Sequence, residues 1–294
     1  MPGALEPPPT IVREAVARAL DEDLTPLGDL TSMLLPPDLQ ATAAFVVRGP
    51  GVLAGAACVT ETFRQIDPDV ALTWSAADGD RVAPRTTVAV ASGRLASILT
   101  AERTALNFLS HLSGVATLTR RYADAASAGG SARIWDTRKT TPGLRSLEKA
   151  AVRAGGGANH RGNLSDWILL KDNHLALMGI ADAVAAAKDR WPGRTVHVEC
   201  DRVEQALQAV DAGADALLLD NMTPAEVTAC VHAVEQRCTD AGRRRPLLEV
   251  SGEVDLATVA DFAGTGVDLI SVGAITKSAP VLDIGLDIAA DTPD

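Results

Sequence analysis

Residues 196–220 read VHVECDRVEQALQAVDAGADALLLD, and this stretch decides the fold. Two short apolar runs, residues 196–199 and 216–220, flank a stretch that is rich in alanine and amphipathic. A strand, a helix and a second strand in this order are typical of parallel pairing, because the helix carries the chain back to the same end of the sheet. The stretch therefore predicts one strand–helix–strand unit.

The same alternation continues on both sides of this unit. The predicted strands are residues 134–137, 167–171, 196–199, 216–220, 247–251 and 268–273. The segments between them are amphipathic and rich in alanine. Six clear strands are fewer than the eight of a complete TIM barrel. We therefore expect a parallel sheet that is closed, or nearly closed, into a smaller α/β barrel.

A different pattern precedes residue 113. Thr10 can cap a first helix, and a long helical stretch is predicted to form two helices broken near Ser113 and Gly114. The predicted helices are residues 11 to about 22, 55–66 and 94 to about 126, and the predicted strands are residues 41–47, 70–75 and 87–91. Helices and strands in this arrangement indicate a small α/β sandwich.

The predicted fold class is thus α/β, with two domains. An N-terminal α/β sandwich domain is expected at residues 1–112 and a barrel domain at residues 113–275. Residues 276–294 alternate poorly and are expected to return to the first domain. A chain of 294 residues that is 47% apolar has ample material for the cores of both.

Charge and cysteine usage limit the possible partners. The formal net charge of −11 argues against nucleic acid or an anionic membrane as a partner. No apolar run is long enough to span a bilayer, and the N-terminus does not resemble a secretory signal. The four cysteines form no C-x-x-C pair, which is typical of reduced thiols in a cytoplasmic protein. The spacing of Cys230, His232 and Cys238 on a predicted helix disfavours a zinc site.

Polar side chains recur where the predicted strands end, and in parallel α/β barrels the active site lies at those ends. Cations there could converge on one polyanion, because placing them together is costly without an anionic ligand. The candidate cations are Arg138 and Lys139 after the first strand, His160 and Arg161 before the second, and Lys171 after it. Arginine can bind a carboxylate or a phosphate through two parallel hydrogen bonds.

The other strand ends complete this candidate site. Glu199 and Asp220 suit a magnesium ion or a positively charged transition state, since Mg²⁺ takes one or two protein carboxylates and otherwise water and phosphate. The last two strands end in Ser251-Gly252 and in Gly273, where such barrels bind phosphate through backbone N–H groups. The pattern indicates a phosphorylated sugar, a magnesium-bound polyphosphate and a second anionic substrate.

Each of these features also has a structural interpretation. The Arg138-Lys139 pair could be solvated surface, and Asp201 after Glu199 could cap a helix. Further structural alternatives are a turn at Asp220-Asn221 before a helix led by Thr223-Pro224, a helix exit at residues 155–157, and structural or exposed roles for His197 and His232. The coincidence of all these residues at one end of one barrel favours function.

Four longer motifs carry a resemblance to a known family. They are DTRKTTPGLR at residues 136–145, GGG at 155–157 followed by NHR at 159–161, KDNH at 171–174, and ERTALN at 102–107. Together they closely resemble the nicotinate-nucleotide pyrophosphorylase (carboxylating) family, also called quinolinate phosphoribosyltransferases. The resemblance runs in order from about residue 11 to the tail.

The resemblance implies an open, seven-stranded barrel and a homodimer, or a higher oligomer, in which the partner's first domain completes each active site. Arg103 would reach into the partner's site. Arg138, His160, Arg161 and Lys171 would bind the two quinolinate carboxylates, and Lys139 would be shared between quinolinate and pyrophosphate. Glu199 and Asp220 would hold Mg²⁺, partly through water, together with ribose hydroxyls. The 5′-phosphate would contact Ser251, Gly252, Gly273 and Lys277.

The implied reaction joins quinolinate to phosphoribosyl pyrophosphate and releases CO2 and pyrophosphate, giving nicotinate mononucleotide for de novo NAD biosynthesis. Lys139 or Lys171 would assist the decarboxylation. One alternative is a relative without this chemistry that is linked to molybdate transport, which the intact KDNH run at residues 171–174 argues against. Another is a non-catalytic sensor of nucleotides or phosphosugars, which the retained cations and carboxylates argue against.

Three residues depart from the family pattern. Glu253 stands where a second glycine is common after Ser251, and it adds negative charge beside the predicted phosphate site. Asn163 replaces a usual glycine, and asparagine tolerates positive φ better than most residues. Lys277 stands where many relatives carry histidine, and it could still meet the phosphate.

Overall fold

The computed structural model describes residues 6–290, which form two compact units. Among these residues, the first unit contains 6–120, 140–156 and 274–290, and the second contains 121–139 and 157–273. Residues 140–156 lie in the predicted barrel range of the sequence but group with the first unit. Residues 1–5 and 291–294, the ends of the predicted domain ranges, lie outside the described residues.

The strands and helices are numbered here in chain order. The strands are β1 (Gln40–Val47), β2 (Gly51–Val52), β3 (Ala71–Trp74), β4 (Arg81–Val82), β5 (Thr87–Arg94), β6 (Arg133–Trp135), β7 (Ile168–Leu170), β8 (Val196–Cys200), β9 (Ala216–Asp220), β10 (Leu247–Ser251), β11 (Leu269–Ser271) and β12 (Ile284–Ala290). The α-helices are α1 (Pro9–Leu24), α2 (Ala56–Ile66), α3 (Leu95–Gly129), α4 (Arg145–Ala154), α5 (Asp172–Leu175), α6 (Ile180–Arg190), α7 (Val203–Asp211), α8 (Pro224–Asp240), α9 (Val259–Ala263) and α10 (Ala274–Lys277). Ser32–Leu34 forms a short 3-10 helix.

The first unit is built on a four-stranded sheet in the order β12-β1-β5-β3, with antiparallel pairing throughout. Alternate residues of β1 are buried, and Ala43, Phe45 and Val47 join a core that includes residues of α2 and α3. This alternation is the signature of a strand with one buried face. The C-terminal strand pairs with β1 so that Leu286 lies opposite Phe45.

The N-terminal helix begins earlier than the sequence predicts. Pro8 is its N-cap and Pro9 its first residue, so Thr10 lies inside the first turn and the predicted Thr10 cap is wrong. Proline is well suited to the first helical position, because its fixed φ matches the helix and its missing N–H would have no partner there. The run of prolines therefore decides the start of α1.

The break predicted near Ser113 and Gly114 is also wrong, because α3 continues through both. The buried Ser113 hydroxyl donates to the Ala54 carbonyl at 3.1 Å and accepts the Ala54 N–H at 3.0 Å. A Cβ on Gly114 would lie 2.2 Å from the Pro280 carbonyl oxygen. Both residues therefore permit close packing against other segments and do not end the helix.

The second unit contains a six-stranded parallel sheet in the order β6-β11-β10-β9-β8-β7, which confirms the six predicted strands. Ala158 adds an isolated parallel bridge to Trp135, beyond the β6 edge. The side chains of His197 on β8 and Glu249 on β10 approach to 3.8 Å although β9 lies between them. Alternate strands of a flat sheet are about 10 Å apart, so this sheet curves around these side chains as an open barrel.

Helices of the second unit follow the strands as predicted. Thr223 caps α8 in a capping box with Glu226, and Pro224 is the first helical residue. Cys230 and Cys238 are buried free thiols and His232 is exposed. Within residues 6–290, none of the helices combines the length and apolar character that crossing a bilayer requires.

Candidate functional site

Most of the predicted site residues of the second unit lie at or just beyond the carboxyl ends of its strands, and His160 and Arg161 follow Ala158, which bridges to Trp135 on β6. Glu199 is the fourth residue of β8, and Asp220 and Ser251 are the last residues of β9 and β10. Lys171 follows β7 directly. Parallel strands end at the same edge of a sheet, so these side chains gather there.

Asp136 ties the end of β6 to the segment that carries two predicted ligands. Its buried carboxylate accepts the His160 N–H at 2.8 Å and the Asn159 side-chain amide at 2.6 Å. These bonds satisfy a fully buried carboxylate and hold the main chain of residues 158–160 beside β6. No role for Asp136 was predicted, although an aspartate directly after a buried strand is a signal for such an anchor.

Lys139 lies exposed after β6, and its backbone N–H donates to the Thr137 hydroxyl at 3.0 Å. A Cβ on Gly273 would lie 3.0 Å from the Lys139 Cδ, tighter than ordinary van der Waals contact. Glycine at position 273 therefore leaves room for the Lys139 stem across the neighbouring ends of β6 and β11.

The ends of β9 and β10 meet through Asn221 and Gly252. Asn221 has a φ of +56° and donates its N–H to the Ser251 carbonyl at 3.0 Å. Gly252 has a φ of +133°, and a Cβ there would lie 2.7 Å from the Asn221 Oδ1. Position 252 thus needs glycine for both conformation and space. The turn suggested as a structural alternative at Asp220-Asn221 exists, and it is part of the same strand-end cluster.

Glu199 forms an ion pair with Lys171 and lies beside Asp220. Burial raises the pKa of Asp220, and the negative charge of Glu199 raises it further, while Lys171 and Lys139 act in the opposite direction. Both carboxylates line a cavity of about 510 Å³ that also contains Asp172, Asp201 and Asn221.

This donor set fits a divalent cation. Oxygen ligands predominate around the cavity, and carboxylates that repel one another are stabilised when a cation lies between them. The residues that would hold Mg²⁺ are Glu199 and Asp220, as the resemblance implies. In the structure, the Lys171 ammonium donates a hydrogen bond to the Glu199 carboxylate.

Arg161 is a buried cation with little compensation from the protein. Its guanidinium donates one weak bond to the Trp167 carbonyl at 3.4 Å, and its buried Nε has no partner among the described residues. Burial lowers the pKa of Arg161, and the nearby Arg138 lowers it further, while Asp166 acts in the opposite direction. A buried charge without a counter-charge is costly, so this position favours an anionic ligand.

The concave face of the sheet carries a polar cluster that the sequence did not predict. We call it the inner cluster, and it consists of Trp135, His160, Trp167, His197, Glu249 and Ser271. His197, predicted to be structural or exposed, is buried and stacks on Trp167 at 5.1 Å. Burial lowers the pKa of His197 to about 4, so its ring is neutral at neutral pH. The available signal was a glutamate inside the otherwise apolar strand LLEVS at residues 247–251.

Two predicted ligands belong to the first unit. Arg103 is exposed on α3, where it lines a cavity of about 560 Å³ with Arg18 and His111. Lys277 is exposed at the end of α10. The strand-end cluster of the second unit contains neither of them.

Two of the residues that depart from the family pattern, Asn163 and Glu253, lie in loops of the second unit. Asn163 does not adopt a positive φ, so the prediction that it replaces glycine by tolerating this conformation is wrong. Its side chain instead accepts the Ser165 N–H at 2.7 Å and closes the turn itself. Glu253 is exposed in the loop after β10.

Comparisons with known proteins agree with this geometry along nearly the whole chain. Residues 29–113 match the family described as quinolinate phosphoribosyl transferase, N-terminal domain, and residues 115–287 match the corresponding C-terminal domain. The nicotinate-nucleotide pyrophosphorylase (carboxylating) of Mycobacterium leprae is 40% identical over 281 residues, covering 94% of this chain and 96% of the relative. Quinolinate phosphoribosyltransferase (decarboxylating) 1 of Nicotiana glauca is 36% identical over 94% of this chain and 82% of its own.

A solved structure is equally similar. The nicotinate-nucleotide pyrophosphorylase of Francisella tularensis superposes with a TM-score of 0.90 and 38% identity, covering 97% of this chain and 98% of that one.

Proposed function

Because the chain belongs to the quinolinate phosphoribosyltransferase family, we propose that it transfers phosphoribosyl from phosphoribosyl pyrophosphate to quinolinate and releases CO2. The products are nicotinate mononucleotide, pyrophosphate and CO2, as in de novo NAD biosynthesis. The observation that carries this proposal is that Glu199 and Asp220 line one cavity and that Lys171 and Lys139 act on Asp220, in the same unit as the buried, incompletely paired Arg161. One sheet edge thus offers cations for a diacid and oxygen ligands for a metal-bound polyphosphate.

The residues divide into two groups by charge. On the quinolinate side, Arg138, His160, Arg161 and Lys171 bind the two ring carboxylates, and Lys139 contacts quinolinate and pyrophosphate. On the sugar side, Glu199 and Asp220 would hold ribose hydroxyls and Mg²⁺, partly through water, and Ser251, Gly252, Gly273 and Lys277 bind the 5′-phosphate. When bound, Mg²⁺ would neutralise the pyrophosphate leaving group.

The reaction balances in two steps. The pyridine nitrogen forms a bond to the anomeric carbon while the bond from that carbon to pyrophosphate breaks, and the carboxylates of Glu199 and Asp220 stabilise the positive charge that develops on the ribose. The ring nitrogen is then cationic. The bond to the 2-carboxylate breaks, CO2 leaves, and the electron pair remains on the ring carbon. Lys139 or Lys171 supplies, or guides, the proton that this carbon accepts.

The proposed assembly is a cytoplasmic homodimer in which Arg103 acts on the partner's site. The exposure of Arg103 and its membership of the first unit support an action on another chain. A two-fold dimer would repeat the arrangement at both sites.

Turnover tests the function directly. Purified protein with quinolinate, phosphoribosyl pyrophosphate and Mg²⁺ is expected to form nicotinate mononucleotide and CO2 in equal amounts. Omitting any one component should stop product formation. Absence of the nucleotide under these conditions would contradict the proposal, and formation of a nucleotide without CO2 would indicate the non-decarboxylating relative.

Replacing Glu199 by alanine is expected to weaken Mg²⁺-dependent binding of phosphoribosyl pyrophosphate by at least about tenfold, with quinolinate affinity changed much less. The variant removes a proposed metal ligand. It also frees the Lys171 ammonium from its ion pair, which should not weaken the binding of quinolinate, an anionic diacid. Calorimetry with each substrate separates the two effects. Asp211→Ala, which removes an exposed carboxylate from α7, serves as the control. Equal losses of affinity for quinolinate and phosphoribosyl pyrophosphate would contradict the division into a quinolinate side and a sugar side.

Mixing two inactive variants tests the shared site. After subunit exchange between Arg103→Ala and Lys139→Ala proteins, half of the dimers are mixed, and each contains one intact site of two. Activity is then expected to return to roughly a quarter of the native level. Mass-tagged chains establish that exchange has occurred. A mixture that stays inactive despite proven exchange would show that Arg103 acts within its own chain.

A further inference from the structure

Glu249 lies at the centre of the inner cluster and has no role in the reaction as derived so far. It is the third residue of β10 and fully buried, opposite Leu218 on β9 and Leu269 on β11. An ionisable side chain in the middle of a buried parallel strand is costly unless its charge is compensated. The surroundings of this carboxylate therefore indicate what it does.

Polar groups surround both carboxylate oxygens. Oε1 accepts a hydrogen bond from the Ser271 hydroxyl and lies 3.5 Å from the His160 Nε2. Oε2 lies 3.8 Å from the His197 Nδ1, and neither of these two atoms has a hydrogen-bond partner within residues 6–290. Ser271 and His160 therefore converge on one oxygen, which fixes the carboxylate on the side of His160.

The His160 ring is fixed from several directions. Its main-chain N–H is held by Asp136 at 2.8 Å, and its ring packs edge-on against Trp135 at 5.4 Å and at a tilt against Trp167 at 5.0 Å. Glu249 supplies the polar contact at the Nε2 end. A ring confined by two indoles and one carboxylate has little freedom to rotate, which is the arrangement by which supporting residues orient a ligand-binding side chain.

We propose that Glu249 is a positioning residue for quinolinate recognition: from inside the barrel it holds in place the His160 ring, which receives a ring carboxylate. This inference rests on the proposed function. Glu249 touches no substrate in this scheme and acts only through His160. The sugar side, built on Glu199 and Asp220, does not depend on it.

Glu249→Gln tests the inference, because it removes the charge and keeps the shape. We expect the KM for quinolinate to rise by about tenfold or more, while the KM for phosphoribosyl pyrophosphate stays within about twofold. Glu204→Gln removes the same charge from the exposed surface of α7 and should leave both values unchanged. Ser271→Ala, which removes only the hydroxyl contact, should change the quinolinate KM in the same direction by a smaller factor and keeps the test valid if Glu249→Gln does not fold.

A double-mutant cycle distinguishes positioning from general support of the fold. If Glu249 acts through His160, the double variant Glu249→Gln/His160→Gln should bind quinolinate as weakly as His160→Gln alone. Additive losses, or an unchanged quinolinate KM in Glu249→Gln, would overturn the proposal. Metal analysis is the last arm: a stoichiometric transition metal that is lost in Glu249→Gln would mean that His160, His197 and Glu249 form a metal site instead. Wild-type turnover separates failure of this inference from failure of the proposed function.

Discussion

Lys139→Ala is expected to lower kcat by about a thousandfold and to leave the thermal unfolding midpoint unchanged. The side chain is exposed after β6, so its removal creates no cavity. Its proposed contacts to quinolinate and pyrophosphate strengthen as charge develops on the leaving group. Losing one such electrostatic contact costs on the order of a hundred- to a thousandfold in rate, and loss of a proton donor adds to it.

Steady-state kinetics with matched unfolding curves measures this effect. Lys188→Ala is the control, because Lys188 is a half-buried lysine of the second unit that lies outside the predicted site and pairs with Asp215 at 3.6 Å. It should keep full activity. A Lys139→Ala enzyme that turns over at the native rate would exclude Lys139 from the chemistry.

Nicotinate is expected to react with a kcat/KM at least about a thousandfold below that of quinolinate. Quinolinate brings two ring carboxylates to a group of cations, and nicotinate brings one. The missing carboxylate would leave the buried Arg161 without an ion-pair partner, and an unpaired buried charge costs on the order of several kcal/mol. Among residues 6–290 the Arg161 guanidinium bonds to the Trp167 carbonyl and to no carboxylate, and Asp166 offsets its charge without forming an ion pair with it.

Product formation with each acid over a range of concentrations gives the ratio. Arg161→Met should lower the ratio of kcat/KM for quinolinate to kcat/KM for nicotinate, since the variant removes the cation that only the diacid can pair. Arg190→Met, an exposed arginine at the end of α6, should leave the ratio as in the native enzyme. Comparable values of kcat/KM for the two acids in the native enzyme would refute this account of specificity.

The barrel and the place of its site follow from local sequence patterns. Apolar runs such as the one that forms β9 predict strands, and alanine-rich stretches such as the one that forms α7 predict helices, because these preferences operate over a few residues. Parallel strands share a carboxyl edge. Glu199, Asp220 and Ser251 could therefore be assigned to one edge before any distance was known.

Local patterns were misleading where a distant segment decided the structure. Ser113 and Gly114 read as helix breakers, yet α3 continues because Ala54 and Pro280, more than fifty residues away in either direction, pack against them. The grouping of residues 140–156 with the first unit has the same origin. Contacts between segments far apart in the chain outweigh the propensity of a single residue.

By itself, the sequence determined the strand–helix alternation, the sheet edge that carries the site and most of the residues there. Only the tertiary structure decided which of them pair: Lys171 with Glu199, Asp136 with the segment of His160, and Glu249 with His160 and Ser271. The physical reason is curvature. Side chains on non-adjacent strands meet only when the sheet bends around them, and that bend depends on the packing of the whole barrel.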